Sequence, residues 1–366
     1  MLAACGSVPH PQPQGGMGPG SAPAVAYSPA PASTAVPLQQ PRSRWTPVGW
    51  DELPGLGEDA LGEAWSAWLL SCQRPGTALA ALCADVRRLS LGSEEDKRNW
   101  MVQRLQPYRV ETFSSEAVGL LTGYYEPVVE ASRLPTADFR VPLYQPPANL
   151  HRRRPWYSRQ EIDTLPEAQA ALKGREIAWL ADPVAALNLQ IQGSGRLQIT
   201  EPDGRQRMVR IGYAGTNDQP YRSVGGWLQQ QREVRDASWP SIRQWVAQNP
   251  GRVQEMLWAN PRVTFFREQP LPEADALVGP QGAQGVPLTA GRSIAVDPGS
   301  IPYGTPVWLA SAGPQLQLQR LVLAQDTGSA ITGAVRADYF VGTGPLASQI
   351  AGRLKQPLRL WVLWPR

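Results

Sequence analysis

The sequence predicts a mainly β protein whose N-terminal part is helical. Between residues 119 and 230, short runs alternate apolar and polar side chains, the period of a half-buried strand, and a second strand-rich block runs from Val263 to Trp361-Val362-Leu363. Before them, Glu63-Ala64-Trp65-Ser66-Ala67-Trp68-Leu69-Leu70 spaces its large apolar groups at helical intervals. With 366 residues, 42% of them hydrophobic, the chain is long enough for two domains with a sizeable core.

Each segment supports this class in turn. Residues 6–44 are rich in Pro, Gly, Ser, Gln and Ala, almost without charge, and read as a disordered tether. Ala64 to Ser71 and Thr77 to Leu89 read as two helices joined by Gln73-Arg74-Pro75-Gly76. A helical hairpin there brings Cys72 and Cys83 within reach of a disulfide, or leaves them as two small buried apolar groups. Glu94 to Leu105 is a third helical run. Gly119 to Val129 reads as a strand with a glycine bend, and Pro127 ends its regular pairing. Val141–Tyr144, Ile177–Leu180, Leu187–Gln192, Arg196–Ile199 and Met208–Tyr213 alternate, and short strands at that spacing suggest a small barrel or sandwich. Ser241 to Trp258 returns to helix, interrupted at Asn249-Pro250.

Several chemistries are poorly supplied. Two histidines leave little for a metal site or a Ser-His-Asp triad. The net charge of +4 is spread without a dense basic run, and no phosphate-loop, zinc-finger or RNA-binding signature is present, so nucleic acid is not expected as a partner. His151-Arg152-Arg153-Arg154 reads as a solvated loop, with contact to an anionic polymer as the alternative. No run of 18 apolar residues exists, so no transmembrane helix is expected. Leu2-Ala3-Ala4-Cys5 matches the lipobox of bacterial lipoproteins, with Cys5 as the lipidated residue. A signal peptide needs more than the four residues that precede Cys5, so either the start lies upstream, the preferred reading, or the match is accidental. Gly6, in place of the aspartate of inner-membrane retention, points to the outer membrane.

Three aspartates carry the chemistry. They stand in Ile294-Ala295-Val296-Asp297-Pro298, Leu323-Ala324-Gln325-Asp326-Thr327-Gly328-Ser329 and Arg336-Ala337-Asp338-Tyr339-Phe340, each following or interrupting an apolar run. A carboxyl at the end of a buried strand is partly desolvated, so its pKa can rise until it serves as a proton donor. Gln192-Gly193-Ser194-Gly195 reads either as a tight hairpin turn or as a sugar-contacting loop. Tyr213-Ala214-Gly215-Thr216-Asn217 and Tyr221-Arg222-Ser223-Val224-Gly225 combine polar, small and aromatic groups as carbohydrate grooves do. Asp326-Thr327-Gly328-Ser329 also suits a pepsin-like aspartic protease, but those enzymes need two such loops and the chain has one.

Taken in order, these motifs resemble the membrane-bound lytic transglycosylase A family of murein-degrading enzymes, whose C-terminal "3D" domain is named for three aspartates. Gly123-Tyr124-Tyr125-Glu126-Pro127, Gln192-Gly193-Ser194-Gly195, Tyr213-Ala214-Gly215, Tyr221-Arg222-Ser223-Val224-Gly225 and Asn260-Pro261-Arg262-Val263-Thr264-Phe265-Phe266 stand in sequence. Pro287-Leu288-Thr289-Ala290-Gly291-Arg292, Ile301-Pro302-Tyr303-Gly304-Thr305-Pro306 and the aspartates follow. The resemblance covers residues 45–366.

It implies a double-psi β-barrel domain with a second, inserted β-barrel domain and a glycan groove between them. The implied division is a lipoprotein-like N-terminus and tether (1–44), a first barrel segment (45–124), an insert (125–256) and the 3D segment completing the barrel (257–366). It implies cleavage of the β-1,4 bond between N-acetylmuramic acid and N-acetylglucosamine without water, giving a 1,6-anhydro end. One acid can suffice, because the nucleophile is the C6 hydroxyl of the same sugar. By position, Asp338 is the acid, Asp326 its neighbouring carboxylate and Asp297 the third, structural or supporting. Tyr125, Gln192, Gly193, Ser194, Gly195, Tyr213 and Tyr339 are the implied substrate contacts. Neither a metal nor another cofactor is required. The implied partners are peptidoglycan strands, the outer membrane through a lipid anchor, and other murein enzymes, for a monomer facing the periplasm. Attack from strand ends or internally stays open. A non-catalytic peptidoglycan-binding lipoprotein on the same fold is the alternative, and an endoglucanase-like glycosidase a further one.

Overall fold

The computed structural model describes residues 35–272 and 277–366. Cys5 and most of the tether lie outside the described residues.

Strands β1 (Leu38–Gln40), β2 (Ser43–Pro47), β3 (Leu105–Glu111) and β4 (Gly119–Glu126) begin one sheet. The chain then leaves it at Pro127, which has no N–H to continue the pairing. It builds a second sheet from β5 (Val128–Ser132), β6 (Val141–Tyr144), β7 (Glu176–Leu180), β8 (Ser194–Thr200), β9 (Gln206–Thr216) and β10 (Thr264–Pro270). It re-enters the first with β11 (Ser293–Val296), β12 (Pro306–Ala312), β13 (Gln317–Asp326), β14 (Arg336–Thr343) and β15 (Lys355–Pro365).

The first sheet runs β1-β2-β3-β15-β12-β13-β11-β14-β4, and β4 pairs back onto β15, closing a ring of six strands. Within it, β11 is parallel to β13 and β14 is parallel to β4. All six contribute one face to a single buried cluster that includes Leu121, Ile294, Val307, Val322, Tyr339 and Leu360, so this cluster fills the ring's interior. Alternate residues of the same strands, Trp308, Leu321 and Trp361, point outward and pack under the helices Leu61–Ser71 and Glu94–Arg104. There Trp100 meets Trp65 and Trp68 edge to face and those two rings are tilted against each other, with centroids 5.1–5.7 Å apart. Cys72 and Cys83 are joined in a disulfide beside them, the bonded alternative of the two left open by the sequence.

The second sheet runs β10-β9-β8-β5-β7-β6. Leu187–Gln192, expected as a strand, is instead part of the helix Pro183–Gln192. The helix starts where Asp182 accepts from Val184 N, and Pro183 occupies its first turn. It is apolar on two sides: Ala186 and Leu189 pack on the sheet, while Val184 and Leu187 pack on the helices Val224–Gln230, Trp239–Gln248 and Val253–Trp258. That double burial is what imitates a strand's alternation.

Candidate active site

The order β13-β11-β14-β4 sets the acids side by side. Ala295 on β11 is the register partner of Asp326 on one side and of Asp338 on the other. The two carboxyls are therefore separated by one alanine's strand. Asp338 is paired in turn with Thr122 on β4. Because Tyr339 faces the ring's interior, Asp338 faces outward.

Both acids line a cavity of about 720 Å³ between the two sheets. Gln192, Gly193, Ser194 and Tyr213 line it as well, and Tyr213 exposes 55% of its surface. Gly193 is the C-cap of the helix Pro183–Gln192, with φ of 78°, and Ser194 begins β8. The Gly-Ser-Gly stretch is thus a helix-to-strand junction rather than a hairpin turn.

The surroundings of the two acids differ. Asp326 accepts from Tyr124 Oη at 2.9 Å on Oδ2 and from Ala283 N at 3.0 Å on Oδ1, so each oxygen has a protein donor. Burial nevertheless pushes its pKa up to about 6, with the Asp338 charge adding to the rise. Asp338 Oδ1 accepts from Thr122 Oγ1 at 2.5 Å, and Oδ2 has no hydrogen bond among the described residues. Both carboxyls keep some surface toward the cavity, yet protein closes around them on the other sides. Burial raises the Asp338 pKa, opposed by the Thr122 hydroxyl and the nearby Arg336 guanidinium. Tyr124 is held well above its ordinary value by burial and by the Asp326 charge, so it stays a proton donor to that carboxylate.

Four expected residues lie elsewhere. Asp297 is 4% exposed and accepts from Arg42 Nη1, Gly299 N and Gly333 N at 2.8–3.0 Å, tying a turn to its neighbours away from the cavity. Tyr339 sits in the ring's interior, where its hydroxyl donates to Gly291 O and accepts from Arg320. Strand parity removes it from the cavity that Asp338 faces. Tyr125 is buried, with its hydroxyl accepting from Asn188 Nδ2 at 2.7 Å and its N–H donating to Gln192 Oε1 at 3.0 Å. It aims Gln192 rather than lining the cavity. Gly195 is buried because a Cβ there would meet Leu189 Cδ2 at 2.2 Å, so it serves packing. The cluster at 151–154 does not line the cavity either: Arg153 stacks 4.1 Å over Tyr157, and Arg154 lies 3.5 Å from Asp218.

Sequence reading missed Thr122, Tyr124 and Arg336, which surround the acids, and Arg74, Arg262 and Arg267, which line the cavity. Tyr124 lay within a quoted motif, and Arg336 two residues before Asp338, but only the strand register shows which way they point. Among the described residues no cluster of His, Cys, Asp and Glu suits a metal ion, and no helix is long and apolar enough to cross a membrane.

A family model described as the MltA specific insert domain matches residues 120–267, and one described as the 3D domain matches residues 292–364. Membrane-bound lytic murein transglycosylase A of Vibrio cholerae is 30% identical over 296 residues, covering 74% of this chain and 74% of that protein. The solved structure of LtgG, a lytic transglycosylase of Burkholderia pseudomallei, is 41% identical with a TM-score of 0.60, covering 91% of this chain and 98% of that one. MltA of Neisseria gonorrhoeae is 29% identical with a TM-score of 0.74, covering 92% and 96%.

Proposed function

The chain belongs to the membrane-bound lytic murein transglycosylase A family, and from that premise we propose that it is a peptidoglycan lytic transglycosylase with Asp338 as its single acid/base. The bond cleaved is the β-1,4 link between N-acetylmuramic acid and N-acetylglucosamine. The observation that carries the assignment is the contrast in free valence. Asp326 has both oxygens occupied by protein donors, whereas Asp338 keeps Oδ2 free on a carboxyl that lines the cavity.

The protonated Asp338 gives its proton to the glycosidic oxygen, which leaves with the electron pair of the C1–O bond. The C6 hydroxyl oxygen of the muramic sugar bonds to C1, and its proton returns to the Asp338 carboxylate. The product is a 1,6-anhydro end, no water is consumed, and the acid is regenerated. Asp326, Tyr124 and Thr122 hold charge and geometry around that proton. Gln192, Gly193 and Ser194 supply polar contacts on the facing wall, and Tyr213 offers an aromatic face to a sugar ring. Asp297 supports the turn that follows β11.

The same reading makes the protein an outer-membrane lipoprotein facing the periplasm, held through Cys5, as the Leu2-Ala3-Ala4-Cys5 sequence supports.

The test is digestion of purified peptidoglycan followed by mass spectrometry, with wild type beside Asp338→Ala. Muropeptides lighter by one water than hydrolysis products, formed by wild type and absent with the variant, are expected. Ordinary reducing ends would replace the reading by a hydrolase. Binding without any release would replace it by a glycan-binding lipoprotein.

A further inference from the structure

The charged residues that line the cavity are three arginines and two aspartates. The aspartates are the acids already described. Arg74, Arg262 and Arg267 have no carboxylate partner among the described residues, and no ion pair elsewhere uses them. The influences on Asp326 are burial, hydrogen bonds and the Asp338 charge, and those on Asp338 are burial, the Thr122 hydroxyl and Arg336; none of these three cations is among them. Their charge is therefore spent neither on structure nor on the acids.

Their presence in the cavity is built. Arg262 and Thr264 precede, and Arg267 and Gln269 follow, a β-bulge between Phe265 and Phe266. Arg262, just before β10, and Thr264, Arg267 and Gln269 on it all line the cavity, while Phe265 and Phe266 are buried in two separate clusters. Arg262 spends its Nε on Gln219 O at 2.7 Å, which orients the guanidinium and leaves its two terminal nitrogens uncommitted. Arg74 comes from the other domain. Its loop is stapled by the Cys72–Cys83 disulfide and pinned by the Gln284 amide, which donates to Arg74 O at 3.1 Å and Ser71 O at 3.2 Å. Cations thus stand on both sides of one cavity.

We propose that Arg74, Arg262 and Arg267 are receptors for carboxylates carried as substituents on the glycan, and that they make the cavity selective for an acidic strand over a neutral one. This rests on the peptidoglycan reading above and adds to it the chemical feature that is recognised. Guanidinium groups bind carboxylates through paired N–H donors, a geometry that suits both candidate sources, the lactyl ether carboxyl of muramic acid and the carboxyls of its peptide stem.

The experiment measures binding by the full chain carrying Asp338→Asn, so that no strand is consumed. Three probes are used: a neutral chito-oligosaccharide, strands stripped of stems but keeping lactyl groups, and strands with intact stems. Tighter binding of the acidic strands than of the neutral one is expected, with an advantage that shrinks as salt is raised. Arg267→Gln and Arg262→Gln should each weaken acidic-strand binding about fivefold and leave the neutral probe unchanged, which also reports that the variants fold. Arg74→Gln is the third variant, on the opposite wall. Loss on stripped strands identifies the lactyl carboxyl as the ligand, and loss confined to intact strands identifies the stem. Equal loss on the neutral probe, or no loss on any, would overturn the proposal. A chain that binds acidic strands selectively yet forms no anhydro ends would overturn the reaction and leave this inference standing.

Discussion

Thr122 Oγ1 donates to Asp338 Oδ1 at 2.5 Å while accepting from Arg336 Nη2 at 2.8 Å. Because the arginine occupies the hydroxyl's lone pair, the hydroxyl proton is committed to the carboxylate. A donor to the charged form holds the acid's pKa down against burial. In Thr122→Val that donor is gone and the shape remains. The alkaline limb of kcat/KM should move to higher pH by about one unit, the worth of a hydrogen bond to a charged group. The rate at acid pH should drop about tenfold as the carboxyl loses its fixed orientation. A pH–rate profile reads both effects, and an unmoved limb would show that the titrating group is not Asp338.

Burial pushes the Asp326 pKa up to about 6 from an ordinary 3.8, so its ionisation is resisted in the folded state. Stability from this group is complete below the ordinary carboxylate range and is lost as pH rises through about 6. Asp326→Asn removes the penalty. The variant should be more stable than wild type by about 1–2 kcal/mol at pH 8 and no more stable at pH 4, as denaturant unfolding at the two values would show. Each ionised carboxylate opposes ionisation of the other, so the same variant should move the alkaline limb of activity to lower pH, opposite to Thr122→Val.

How far this site could be read from the sequence follows from strand parity and register. Asp326 and Asp338 were legible because each interrupts an apolar run, and Ser194 and Tyr213 because small and aromatic groups cluster there. That Ala295 is flanked by both acids is a pairing between strands separate in sequence, and no local pattern encodes it. Tyr339 and Tyr125, contacts implied by the resemblance alone, lie off the cavity because strand alternation turns each away from the face that carries Asp338 and Tyr124. Arg262 and Arg267 were missed because which positions on and before β10 face the cavity depends on how that strand packs across the sheet, not on any local pattern.

Removing the disulfide tests the helical layer. Cys72 and Cys83 are separated by 11 positions and close a short loop against the Trp65–Trp68–Trp100 cluster. Cys72→Ser with Cys83→Ser should cost about 2–3 kcal/mol, chiefly by freeing the unfolded chain. Thermal melts of the double variant beside wild type give the value. Because the same loop carries Arg74, the double variant should also lose part of the preference for acidic strands. A variant of unchanged Tm would mean that the tryptophan cluster alone fixes the loop.

Glu126 ends β4 in the first sheet and is fully buried, and its partners lie mostly in the second. Arg196 Nε on β8 donates to Oε2 at 2.7 Å, and Arg210 Nε on β9 donates to Oε1 at 2.6 Å. Thr343 Oγ1 on β14 donates to Oε2 at 3.0 Å, and both guanidiniums also donate to Val278 O on the segment that returns the chain to the first sheet. One carboxylate therefore joins the two points at which the chain passes between sheets, and with them the walls of the cavity. Glu126→Gln keeps the shape and leaves two buried arginines short of their counter-charge, so unfolding should cost about 3–5 kcal/mol less than in wild type. At a temperature where the variant is still folded, cleavage should fall through a higher KM as the facing walls lose their fixed spacing. The alkaline limb set by Asp338 should stay where it is, because the Glu126 carboxylate is already neutralised by Arg196 and Arg210 and makes no hydrogen bond to that acid. A shifted limb would mean that Glu126 acts on the chemistry directly rather than by holding the two sheets in place.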